Sequence, residues 1–286
     1  MKLRRRDADA LGTGTLAAGE EVLPGYRVVA LLAHGRRVDT YDVWSEHRQC
    51  RCVVKILRDD RRGDPRVRDA VLLEGRLLRD LTHPHLVRGY EVHDHPAPAM
   101  VLETLTGATL AALIDDGPLG VGDVALLGLQ LSSVLGYLHR EGWLHLDVKP
   151  ANVVVEEGRT TLIDLSLVDT PGSGRPGAGT RGYLAPEQAL GEGLSPATDV
   201  WGLGVSLVEA LTGEMPFGDE ATWDSRRRLP VVHRRAPRPP RPLTNVPPEL
   251  DELLRACLSQ DPAARPRLDD VRAILFPLAG EEAGTR

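Results

Sequence analysis

The chain has 286 residues, of which 42% are hydrophobic and 27% charged, enough for a packed core and incompatible with a disordered tail. Thirty-five cationic against 41 acidic side chains give a net charge of −6, which excludes nucleic-acid attraction by the molecule as a whole. Three cysteines (Cys50, Cys52 and Cys257) without a CxxC pair exclude a disulfide framework and give no sign of zinc. No apolar run approaches the ~20 residues of a membrane span. The basic start Met1–Arg6 leads into acidic and small polar residues instead of a signal-peptide core, so a cytoplasmic globular protein is expected. Only three of the cationic residues are lysine (Lys2, Lys55 and Lys149), and only two asparagines occur, Asn152 and Asn245. Where so arginine-rich a chain still uses lysine, a compact ammonium is called for that a planar guanidinium does not replace.

Residues 1–24 show no sustained period and read as a flexible leader. Strand-like runs follow at Tyr26–Leu32, Thr40–Trp44 and Cys52–Leu57, with Cys50 and Cys52 expected as buried strand thiols. Pro65–Leu81 has helical spacing, with Val67, Val71, Leu78 and Leu81 along one stripe, and His83-Pro84 ends it. Strands at Leu86–Val92 and Ala99–Thr104 complete a small β-rich lobe spanning 25–104. From about Gly107 the pattern turns helical, giving a larger lobe over 105–278 and a short tail, 279–286. Its helices are expected at Val121–His139, Ser195–Gly213, Pro248–Gln260 and Leu268–Phe276, with two short strands at Val153–Val155 and Thr161–Ile163. Ser195 and Pro196 are suited to N-cap and first-turn positions. Residues 169–179, rich in Gly and Pro, read as a mobile loop, and 226–241 holds seven arginines and four prolines.

Glu74 interrupts the apolar stripe of the first helix, and Lys55 sits alone in the run Cys52–Leu57. Each is either exposed or in need of an opposite charge, since an unpaired buried charge is expensive; together they suggest a Lys–Glu pair on facing elements. In His145-Leu146-Asp147-Val148-Lys149-Pro150-Ala151-Asn152, a carboxylate, an ammonium and a carboxamide lie within six residues, and Asp164 follows after strand, turn and strand. Phosphoryl transfer needs these groups: a carboxylate for the attacking hydroxyl, a cation for the γ-phosphate and oxygen ligands for magnesium.

On these motifs the chain resembles the bacterial, eukaryotic-like (Hanks-type) Ser/Thr protein kinases over about Tyr26–Phe276. The resemblance implies an α+β, two-lobed protein-kinase-like fold: a small β-rich N-lobe with one helix, and a larger, mainly helical C-lobe. It implies ATP and Mg²⁺ as cofactors and transfer of the γ-phosphoryl group to Ser or Thr of a protein or peptide. By the same resemblance Lys55, paired with Glu74, holds the α- and β-phosphates. Asp147 is the catalytic base, Lys149 steadies the γ-phosphate, and Asn152 and Asp164 bind metal. Leu32, Ala33, Gly35, Thr40, Val53 and Val154 border the nucleotide, and the backbone of Glu103 and Leu105, after Leu102, meets adenine. Ala185-Pro186-Glu187 ends the activation segment, with Glu187 pairing Arg265. Asp199 braces the catalytic loop, and Lys149 with Thr180 marks the Ser/Thr type.

The chain also departs from the family. The phosphate-covering loop keeps one glycine of three (Ala33, Gly35, Val38), and Arg36 and Arg37 at its tip either add charge for phosphate or are simply solvated. Thr40 and Val53 change the adenine roof, so nucleotide affinity is the property these changes bear on most. Asp164-Leu165-Ser166 replaces Asp-Phe-Gly. Leu146 replaces the arginine that in related kinases binds a phosphorylated activation loop, so turnover is expected not to depend on that phosphorylation. The arginine run Arg226–Arg241 is either a solvated loop or a docking surface for an acidic partner. The alternative to an enzyme is a pseudokinase that binds nucleotide or a partner.

Overall fold

The computed structural model describes residues 14–217, 243 and 246–280. The chain forms two compact units: one runs to Thr82 and resumes at Val87–Leu105, and the other takes His83–Leu86 and continues from Thr106.

The first unit is an antiparallel sheet in the order β1-β2-β3-β4-β6-β5. Its strands are β1 (Glu21–Leu23), β2 (Tyr26–His34), β3 (Val38–Ser45), β4 (Cys50–Leu57), β5 (Gly89–His93) and β6 (Ala99–Glu103), and its helix is α1 (Pro65–Asp80). Alternation puts Val28, Tyr41, Val43, Cys52, Val54 and Val101 into one buried cluster. Val22 and Leu23 join that cluster and Leu16 packs against it. The flexible leader expected over 1–24 is therefore corrected from Glu21 onward: two adjacent apolar residues bury themselves once β2 offers a strand edge. The expectation of two buried strand thiols is also corrected: Cys50, at the open start of β4, is exposed, and of the pair only Cys52 is buried. Helix α1 starts where Asp64 accepts the Arg66 N–H at 3.0 Å and proline fills the first turn. It buries Val71, Leu72, Leu77 and Leu78 together with Glu74.

The second unit contains the short sheet β7-β8-β9 (Ala108–Thr109, Val153–Glu156, Arg159–Leu162). Its helices are α2 (Leu110–Asp116), α3 (Val121–Arg140), α4 (Pro186–Leu190), α5 (Pro196–Thr212), α6 (Pro248–Cys257) and α7 (Leu268–Leu278). Helix α3 is the one helix among the described residues long and apolar enough to cross a membrane. Its Val124, Leu127, Leu131, Leu135 and Leu138 are buried in this unit, where α3 packs on α5 and α7. A Cβ on Gly128 would lie 2.5 Å from Leu275 Cδ1 and 3.1 Å from Leu207 Cδ1, so glycine is what lets these helices approach. Ser195 and Pro196 open α5 and Gly213 closes it in the left-handed conformation. The Gly/Pro-rich stretch expected as a mobile loop is tied down: Gly172 and Leu194 exchange backbone hydrogen bonds, and Gly174 and Gly177 donate to the carbonyls of Gly191 and Gln188. The arginine run Arg226–Arg241 and the tail beyond 280 lie outside the described residues.

Candidate active site

In the first unit, Lys55 Nζ donates to Glu74 Oε1 at 2.8 Å, with side-chain exposures of 12% and 4%. Position explains the pair: on β4, Lys55 lies on the face opposite Val54 and Ile56, which pack into the sheet's core cluster, and α1 buries Glu74 together with Val71 and Leu78. Thr40 pairs with Lys55 and with Ala33 across β3, and Val53 pairs with Asp42 and with Leu102. Glu103 donates its N–H to Arg88 O at 2.9 Å, so that N–H is not available to a ligand.

The hairpin between β2 and β3 closes through Gly35 N–H to Val38 O at 3.0 Å, and a Cβ on Gly35 would come within 2.7 Å of that oxygen. Ala33 and Val38 keep ordinary negative φ, so glycine is not needed there for this turn. Arg58, just past β4, anchors the tip. Its guanidinium donates to Gly35 O at 2.9 Å and lies 2.6 Å from His34 Nε2, and its N–H donates to Arg37 O at 3.0 Å. His34 Nδ1 in turn lies 2.7 Å from Asp39 Oδ1.

In the second unit the catalytic-loop residues converge on Asp147. Its Oδ1 accepts the Thr180 hydroxyl at 2.7 Å and the Thr180 N–H at 3.1 Å. Its Oδ2 accepts Lys149 Nζ at 2.6 Å and Asn152 Nδ2 at 3.0 Å. Lys149 Nζ also donates to Thr180 Oγ1 at 2.6 Å. A hydroxyl, an ammonium and a carboxylate thus meet at hydrogen-bond distance, with Thr180 presenting to Asp147 the group that an acceptor hydroxyl would present. Ile163 donates its N–H to Asn152 O at 3.0 Å, which brings Asn152 alongside the strand end that carries Asp164. Asn152 Nδ2 is engaged by Asp147, which leaves Oδ1 as the oxygen this side chain could offer a metal, and Asp164 Oδ1 accepts Ser166 N–H at 2.7 Å. Two hard oxygen ligands fit Mg²⁺, which keeps waters and takes further oxygens from substrate phosphates. Val154 lies on β8, 8% exposed.

Asp199 is the brace. It accepts His145 N–H and Leu146 N–H, each at 2.8 Å, and His139 Nε2–H at 2.8 Å. Burial alone would raise this carboxyl; the hydrogen bonds from the His139 ring and the backbone N–H of His145 outweigh it and hold the group below the usual carboxylate range. Leu146, held by this brace, has φ +62°, a left-handed backbone that costs a residue with a side chain about 1–2 kcal/mol and persists where its surroundings fix it. Its side chain is buried with Leu144 and Leu194, and Leu167 packs against them. Glu187 and Arg265 form a two-pronged pair at 2.6 and 2.9 Å, and the guanidinium lies 5.0 Å over the Trp201 ring.

Sequence reasoning did not single out Gln188. Its Nε2 donates to Leu146 O at 2.6 Å and to Ala178 O at 2.8 Å, and the residue is 4% exposed. A neutral amide next to Ala-Pro-Glu carries no charge or metal-ligand signal that would have drawn notice.

His145 Nδ1 accepts the Asp147 N–H at 3.2 Å, so this ring is neutral in the fold, and burial pushes its pKa down; His83 is shifted the same way by burial and by His85. An unfolded histidine titrates near ~6.5, so below that pH the unfolded chain binds the extra protons and stability falls. Asp199 acts in a separate window, below its ordinary carboxylate range. The melting temperature is expected to be level above pH ~6.5 and to fall toward pH ~5.5, with a shallower fall in His145→Gln. Equal stability at both pH values would refute this account of the two histidines.

The protein kinase domain family matches residues 26–276. The chain is 33% identical over 229 residues to the serine/threonine-protein kinase PkaA of Streptomyces coelicolor, covering 76% of this chain and 41% of that one. It is 31% identical over 258 residues to PknA of Mycobacterium tuberculosis, covering 85% and 58%. It is 34% identical over 241 residues to PknB of Mycolicibacterium smegmatis, covering 77% and 38%. The matches therefore span between 38% and 58% of these relatives' own lengths.

Proposed function

The chain belongs to the protein kinase domain family, among relatives that are bacterial Ser/Thr-protein kinases, and we propose that it transfers the γ-phosphoryl group of ATP to Ser or Thr hydroxyls of a protein or peptide. The observation that carries this reading is the meeting of Asp147, Lys149, Thr180 and Asn152 within hydrogen-bond reach. In it Asp147 orients the acceptor hydroxyl and takes its proton, and that hydroxyl displaces Thr180 from Oδ1. Lys149 places positive charge where the γ-phosphoryl oxygens gain negative charge, the electrostatic work that dominates this chemistry. Lys55, fixed by Glu74, holds the α- and β-phosphates. Asn152 and Asp164 would hold Mg²⁺, which neutralises phosphate charge when bound.

The finer parts of the reading are that Leu32, Ala33, Gly35, Thr40, Val53 and Val154 border the nucleotide, that Glu103 and Leu105 meet adenine through their backbones, and that the protein is a non-RD kinase with an altered glycine-rich loop acting in the cytoplasm. Arg58, which anchors the hairpin tip, supports a loop that has given up glycines without losing its closed turn. Docking of an acidic partner at Arg226–Arg241 rests on composition alone. Reversing four of those charges should weaken phosphorylation of the partner and spare autophosphorylation, and equal loss of both would sink the docking idea.

The test is transfer of labelled γ-phosphate from ATP/Mg²⁺ to the protein itself and to a generic basic protein, with Lys55→Met alongside. Label in the wild type that falls by about 10²-fold or more in Lys55→Met supports the enzyme. A thermal shift with ATP and no label favours the pseudokinase alternative.

A further inference from the structure

We propose that the Gln188 side chain is a positioning residue that clamps the activation segment onto the catalytic loop, aligning Asp147 without phosphorylation of that segment. The inference rests on the phosphotransfer reading and adds to it how the base is held ready.

Both protons of one buried NH₂ group are used, one on Leu146 O at 2.6 Å and one on Ala178 O at 2.8 Å. The first carbonyl adjoins Asp147 in the chain, and the second lies two residues before Thr180. The same amide's Oε1 accepts Ala185 N–H at 3.4 Å, and the Gln188 backbone oxygen accepts Gly177 N–H at 3.2 Å. Residues 177 to 180 are thus fixed at one end by Gln188 and at the other by the two hydrogen bonds from Thr180 to Asp147. Fixing a segment to the catalytic loop is the task for which an arginine at position 146 would need a phosphate. Here position 146 is an aliphatic residue buried against Leu144 and Leu194, and the connection is made by an uncharged amide. An uncharged link formed by the chain itself has nothing for a phosphatase to remove.

Gln188→Met keeps the length and burial of the side chain and deletes both donors. Hydrogen exchange on the full chain is expected to speed up about tenfold or more at the amides of residues 177–180, with α3 unchanged. The kcat toward a Ser/Thr peptide should fall about tenfold while the KM for ATP stays within about twofold. Gln188→Glu, which faces both carbonyls with oxygen, should act in the same direction. Phosphatase treatment, or Thr170→Ala with Ser173→Ala at the two hydroxyl residues of the stretch 169–179, should leave the wild-type kcat unchanged. Leu146→Arg added to Gln188→Met should make turnover phosphatase-sensitive, a change that simple loss of a structural hydrogen bond would not produce.

Unchanged exchange at 177–180 in Gln188→Met overturns the proposal, and so does a wild type that stops turning over when dephosphorylated. A wild type with no transfer under any condition defeats the phosphotransfer reading instead, and the exchange measurement then decides the clamp by itself.

Discussion

Asp147→Asn is expected to lower kcat by about 10³-fold or more while the protein stays folded and still shifts its melting temperature with ATP and Mg²⁺. The substitution conserves size and leaves the surrounding donors in place. It replaces one carboxylate oxygen by an NH₂ and removes the negative charge that now accepts Lys149 Nζ at 2.6 Å and the Thr180 hydroxyl at 2.7 Å. An amide cannot take the proton of an attacking hydroxyl, so the loss should fall on turnover and not on nucleotide binding. Steady-state kinetics with a Ser/Thr peptide and an ATP-dependent melting curve, run on the same preparations, separate the two. A variant that keeps more than about a tenth of the wild-type kcat would remove Asp147 from the role of base.

Arg265→Leu is expected to destabilise the protein by about 3–5 kcal/mol, the cost of leaving one member of a buried ion pair without its partner. Glu187 would lose both bonds, at 2.6 and 2.9 Å, in surroundings where its own side chain is 9% exposed and that of Arg265 is fully buried. The loss reaches further, since the same guanidinium donates to Ala197 O and Ser259 O and covers Trp201. Because breaking a buried pair differs from replacing it, Glu187→Leu combined with Arg265→Leu should recover part of the stability. Denaturant melts of the two single variants and the double variant test this. A double variant that is no more stable than Arg265→Leu would show that the pair's electrostatics are not what the single substitution disturbs.

The sequence was most legible where a residue type was out of place. Lys55 in an apolar strand and Glu74 in an apolar helix stripe each stood out, and burial forces two such charges together. Helices α1, α3 and α5 could be located because three- and four-residue spacing of Leu and Val is a strong signal, reinforced by His83-Pro84 and Ser195-Pro196 at the boundaries. Strand β1 was not, since Glu21–Leu23 has no period of its own and becomes a strand only by pairing with β2. Helices α2 and α4 are too short for periodicity to register. Gln188 was hidden for a different reason. Its importance comes from two carbonyls, 42 and 10 residues away in the chain, that point at one NH₂ group, and no local pattern encodes that meeting. The left-handed backbone of Leu146 was equally hidden, because Asp199 and Gln188 impose it on a residue that would not choose it.

The measurement closest to the central claim is the identity of the amino acid that receives the phosphate. The protein is incubated with γ-labelled ATP and Mg²⁺, and the labelled product is hydrolysed and its phosphoamino acids separated. Label on phosphoserine or phosphothreonine, absent from the Asp147→Asn reaction, is the predicted result. Phosphotyrosine, or ATP binding without any transferred label, would contradict the account.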